Sequence, residues 1–110
     1  MASQQGTVDY LLEQIAEAGT VSARKMFGEY GVYCDGKIVA LVCDDQFYLK
    51  PTPEGRAFLG EVDEQPAYPG ARPSFLIDGG RWDDAEWMSD LVRVTAAALP
   101  MPKPKMGKRG

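Results

Sequence analysis

The chain contains no histidine, two cysteines, and no apolar run approaching the ~18 residues that would mark a membrane span. Each shortage removes a class of activity. Without histidine there is no Ser-His or Cys-His nucleophile pair, and the commonest general base is gone. Two cysteines with no histidine argue against a zinc site, and no Walker loop or dinucleotide fingerprint is present. The start, MASQQGTV, has neither a basic segment nor an apolar signal core. The expectation is a cytoplasmic protein with no membrane contact, no cofactor, no metal and no enzymatic role.

What is present is ordinary for a small soluble domain: 110 residues, 45% of them apolar and 25% charged, enough for one hydrophobic core and too few for two. The charge is unevenly placed. Residues 1–100 hold eight basic against sixteen acidic side chains, a net −8, while Lys103, Lys105, Lys108 and Arg109 make the segment 101–110 basic. An acidic body is a poor surface for phosphate backbones, so any DNA contact through this candidate nucleic-acid tail is expected to be weak or indirect. The tail itself, MPKPKMGKRG, is too polar and proline-rich to join a core.

The chain is organised around residues 24–51, RKMFGEYGVYCDGKIVALVCDDQFYLKP. Asp35-Gly36 and Asp44-Asp45 break this apolar run as two-residue hairpin turns, which predicts a three-stranded antiparallel meander. Uniform pairing sets Cys34 against Lys37, Val32 against Val39, Tyr30 against Leu41, and then Leu41 against Tyr48. One face of this ladder carries Gly31, Tyr33, Ile38, Ala40, Val42, Phe47 and Leu49, the expected core. The other carries Tyr30, Val32, Val39, Leu41 and Tyr48, and is more apolar than the open side of a half-buried sheet should be. Something is expected to cover it. Cys34 and Cys43 fall about 20 Å apart in this register, too far for a disulfide.

Before the meander, Thr7 is placed to cap a helix with Val8, Leu11, Leu12, Ile15 and Ala18 on one stripe, ended by Gly19, and a strand follows over 21–27. Gly28-Glu29-Tyr30-Gly31 has the letters of a GxxG clamp, but an acidic residue inside it favours a bulge or tight bend. After the meander, Thr52-Pro53-Glu54 starts a short helix that Gly60 stops. Residues 61–72 form a long connection, 73–77 a strand, and Asp83 with Glu86 a capping box for the longest helix. Its buried stripe is expected to hold Trp87, Leu91, Val94 and Ala98, with Pro100 ending it. The fold class is therefore α+β: a two-layer domain over 1–100, in the order α-β-β-β-β-α-β-α, with an antiparallel sheet of about five strands and helices on one face.

The run 24–51, followed by EQPAYPGARPSFLID, a tryptophan-containing helix and LPMPKPK, resembles the N-terminal domain of the TfoX (Sxy) family over about Val8 to Lys105. That resemblance implies a small α+β domain linked to regulation of competence genes, whose full-length members act as transcriptional coactivators alongside the cyclic-AMP receptor protein. Full-length regulators of that family carry a second, C-terminal domain where this chain has its basic tail, a departure from the pattern, and the family offers no catalytic motif to carry over.

The candidate site is accordingly an interaction surface: Tyr30, Val32, Val39, Leu41 and Tyr48 on the second sheet face, with Arg24, Lys25 and Arg72 as a positive spot nearby. Its partner is a protein, such as a transcription factor or the transcription machinery, or a second copy forming a homodimer. In the alternative, the 61–72 connection folds back over this face with Tyr68 filling it. Asp44-Asp45 and Cys43 are weaker candidates for chemistry, better read as a turn and as a small packed hydrophobe.

Overall fold

A computed structural model describes residues 4–26 and 29–100. The tail and its four basic residues lie outside these, as do Phe27 and Gly28. Three helices, α1 (Gln5–Gln14), α2 (Pro53–Leu59) and α3 (Ala85–Ala98), accompany six strands: β1 (Val21–Met26), β2 (Glu29–Cys34), β3 (Lys37–Cys43), β4 (Gln46–Leu49), β5 (Asp63–Pro66) and β6 (Pro73–Ile77). The strands form one antiparallel sheet in the order β1-β2-β3-β4-β6-β5. The helices lie on one side of it, so the α+β class stands. The sheet has one strand more than expected, because the 61–72 connection contains β5.

Turn chemistry fixes the meander. Asp35 and Gly36 have φ of 52° and 84°, and Asp44 and Asp45 have φ of 53° and 59°, the paired positive values of tight hairpin turns. The β3–β4 register is the expected one, Leu41 facing Tyr48 and Val42 facing Phe47. The β2–β3 register is not. Tyr33 pairs with Ile38 but Val32 pairs with Ala40, so Val39 is an extra residue without a partner on β2, while on its other side its carbonyl accepts from Lys50 N at 2.8 Å. A bulge of one residue shifts every later position to the opposite face.

The bulge corrects the predicted faces. Tyr30, Val32 and Val39 belong to the helix-covered side and are buried, with the Tyr30 hydroxyl donating to Gln5 Oε1 at 3.0 Å. Gly31, Tyr33 and Ile38 stand on the outer side instead, where Met26 Sδ and Ile38 Cδ1 close over Gly31 within 3.1 and 3.2 Å of where a Cβ would be. Leu41 and Tyr48 stay on the outer face, as expected. The core joins Val32, Val42, Phe47, Leu49, Phe75 and Ile77 of the sheet to Val8, Leu11 and Ile15 of α1 and Met88, Leu91 and Val92 of α3.

Helix ends follow capping chemistry, with two displacements. Thr52 Oγ1 accepts from Gly55 N at 2.8 Å and Pro53 occupies the first turn of α2, as read from the sequence. In α3 the cap is Asp84, accepting from Trp87 N at 3.1 Å, one residue later than predicted. Asp83 is free of that duty because it accepts from the Tyr10 hydroxyl. Thr7 lies inside α1, whose N-cap is Gln4. The buried stripe of α3 runs through Met88, Leu91, Val92 and Thr95, leaving Trp87 half-buried against Phe58, with Arg81 stacked over its ring at 4.5 Å.

The sheet's edges are polar. Strand β1 carries Ser22, Arg24 and Lys25 exposed, and β5 is Asp-Glu-Gln-Pro, exposed throughout. Strand β5 is held by its ladder to β6 and by the Arg56–Glu64 ion pair.

Candidate functional site

The outer face of the sheet is neither bare nor sealed. Met26, Tyr33, Ile38, Leu41, Tyr48 and Leu76 are all half-buried there, and strand pairing puts Leu41, Tyr48 and Leu76 in one row across β3, β4 and β6. An open sheet face is normally polar. Here an arm from the β5–β6 connection overhangs it. Tyr68, Pro69, Gly70 and Ala71 make a type II turn: Gly70 has φ of 87° and Ala71 N donates to Tyr68 O at 3.0 Å. The turn makes the arm a compact reversal and not a loose loop.

Between arm and sheet lies a cleft of about 710 Å³. Met26, Leu41 and Cys43 form its floor, Ala67, Tyr68 and Pro69 face them, and Tyr30, Glu29 and Asp44 complete it. Tyr68 does not fill the space; it remains 55% exposed. The connection thus frames part of the outer face as a groove. Among the described lining residues two are acidic and none is basic.

Of the residues singled out from the sequence, Leu41 lies in this cleft and Tyr48 beside it in the same row, while Val32 and Val39 lie under the helices. Tyr30 borders the cleft although its hydroxyl is tied to α1. Arg24, Lys25 and Arg72 are not gathered into one positive spot. Arg24 and Lys25 point to opposite sides of β1, with Arg24 5.6 Å from the Tyr33 ring centroid, and Arg72 adjoins β6, four strand positions or about 19 Å across the sheet. Met26, Glu29, Ala67 and Pro69 were not foreseen. The Tyr-Pro-Gly turn signature at 68–70 was the available signal for the arm.

Cys43 is buried, and that burial pushes its thiol above the usual range, so the nucleophilic thiolate is disfavoured. Cys34 is equally buried, its thiol likewise raised by burial, and both cysteines are free. Asp44 and Asp45 serve the turn: Asp45 Oδ1 accepts from Gln4 N at 2.9 Å, and Asp44 N donates to Glu29 Oε2 at 3.2 Å. Among the described residues no group of three or more Cys, Asp or Glu is placed to hold a metal ion, and no helix is long and apolar enough to cross a membrane.

A second cavity of about 650 Å³ sits beside α2 between Leu59, Val62, Leu76 and Trp87. Its two arginines, Arg56 and Arg81, are stacked on Phe75 and Trp87 and share the cavity with Glu61, Asp63 and Asp78. Its two basic and three acidic residues leave it with charges of both signs and little net excess.

A relative from Spirochaeta aurantia, described as an uncharacterised 12.7 kDa protein in the trpE 5′ region, is 39% identical over 108 residues, covering 98% of this chain and 93% of the relative. The family model of the TfoX N-terminal domain matches residues 13–99, from the last two residues of α1 to just past α3. The chain belongs to the TfoX N-terminal domain family.

Proposed function

We propose that this is a non-enzymatic regulatory domain of the competence-regulator type that acts by holding a protein partner against its outer sheet face, with the cleft under the 67–69 arm as the point of attachment. The observation that carries this reading is the cleft itself: an apolar floor of Met26, Leu41 and Cys43, an exposed tyrosine on the opposite wall, and acidic groups at one end. Exposed apolar surface bordered by polar groups is the ordinary signature of an interaction site, and tyrosine is favoured there for its apolar body and polar tip. Within this reading the partner is a component of the transcription apparatus or a second copy of the chain, and the protein works in the cytoplasm. Any DNA contact is secondary and comes through the basic tail.

A photoreactive residue replacing Tyr68 tests the reading in cells. It is expected to give a discrete protein adduct, while the same residue at exposed Ala97 on α3 gives none. Leu41→Asp, which puts a charge on the cleft floor, should abolish the Tyr68 adduct. No adduct at Tyr68, or sequence-selective retardation of DNA by the isolated protein at physiological salt, would overturn it.

A further inference from the structure

We propose that the cleft is a docking groove for residues 101–110 of a second copy of this chain. The inference rests on the reading of the cleft as a protein-binding surface and names the occupant.

Charge selects the segment. The cleft is lined by Glu29 and Asp44 with no basic residue among its described lining, and it sits on a body of net −8. The segment MPKPKMGKRG carries four positive charges and no negative one. Apolar chemistry matches as well. Pro102 and Pro104 alternate with Lys103 and Lys105, so a fully extended backbone presents the prolines to one side and the lysines to the other. Proline fixes φ near −65°, and proline-containing extended peptides are read by grooves with aromatic walls, and the exposed Tyr68 supplies one here.

Geometry selects the second copy. Lys37 Nζ donates to Ala96 O at 2.7 Å, placing the last turn of α3 at the Lys37 end of β3. The cleft lies at the other end of that strand, beside Cys43 and Asp44. Six residue steps separate these ends, about 20 Å along the strand, and α3 is on the opposite face of the sheet. Pro100 cannot deliver Met101 to Lys105 across that distance to its own cleft. A neighbouring molecule can.

The test uses the full chain and a labelled peptide of sequence MPKPKMGKRG. Fluorescence anisotropy should show saturable binding, weakened at least fivefold by raising salt from 50 to 300 mM, as a screened charge contact requires. Amide NMR should place the shifts at Met26, Leu41, Cys43, Ala67 and Tyr68. Tyr68→Ala should weaken binding at least fivefold. So should Asp44→Asn, which removes the charge while keeping a residue that tolerates the φ of 53°. Light scattering of the full chain should show mass rising with concentration, abolished when Lys103, Lys105, Lys108 and Arg109 are all changed to Gln. Absence of peptide binding, or binding that Tyr68→Ala and Asp44→Asn leave unchanged, overturns the proposal. So do shifts spread over the acidic surface. A Tyr68 photoadduct to a different protein without peptide binding would sink this inference alone, leaving the wider reading of the cleft intact.

Discussion

Replacing Val32 and Tyr33 one at a time gives opposite outcomes according to where the bulge at Val39 sends them. In the structure Val32 is fully buried beneath the helices and Tyr33 is half-exposed on the outer face. Val32→Ala removes two buried carbon groups at about 0.8 kcal/mol each, and a residual cavity brings the loss to about 2 kcal/mol. Tyr33→Ala forfeits cross-strand contact and the Arg24 stacking at 5.6 Å, together about 1 kcal/mol. With a urea slope near 1.5 kcal/mol/M for a chain of this size, the midpoints should fall by about 1.3 M and about 0.7 M respectively. Fluorescence of Trp82 and Trp87, both half-buried against the core, reports the transition. The aspartate pair sharpens the contrast. Val32→Asp buries a charge at a cost of several kcal/mol, comparable with the whole stability of a domain this size, and should leave the protein unfolded. Tyr33→Asp should fold. A larger loss at Tyr33 than at Val32 would refute the bulged register and restore the uniform ladder.

Two further expectations concern stability. Thr52→Ala deletes the side-chain acceptor for Gly55 N in a buried setting and should cost about 1–2 kcal/mol, read as a lower urea midpoint with unchanged slope; rescue by Ser but not Val would tie the loss to the hydroxyl. Burial raises the Cys34 and Cys43 thiols in the folded protein, whereas in the unfolded chain they titrate near about 8.5. Stability is therefore full below that value and declines as pH climbs through the folded-state values. Urea midpoints compared at pH 7.5 and pH 10 should fall, and the Cys34→Ala, Cys43→Ala double variant should lose part of that dependence.

Legibility in the sequence tracked local chemistry. The Asp-Gly and Asp-Asp turns, the Thr-Pro start of α2 and the β3–β4 register each depend on a few adjacent residues, and each was readable. The bulge was not, because Val39 sits in an unbroken apolar run where either face suits a valine, and only the helices above decide which one is buried. Strand β5 was hidden for the opposite reason. Asp-Glu-Gln-Pro has no apolar alternation, and its strand character comes from the ladder to β6 and the Arg56–Glu64 pair. The cleft was half visible. Leu41, Tyr48 and Tyr68 stood out as apolar groups in need of a neighbour, but Met26 and Pro69 acquire meaning only once the arm brings sequence-distant segments together.

The two margins of the sheet have an implication for how these molecules behave at high concentration. Unpaired backbone donors and acceptors along a sheet's rim invite copies to join side by side into ribbons. Here one rim displays Arg24 and Lys25, and the other is a four-residue strand of Asp63, Glu64, Gln65 and Pro66. Brevity, ionised side chains and a closing proline make both margins poor templates for lateral growth. Crowded solutions should therefore stay free of fibres.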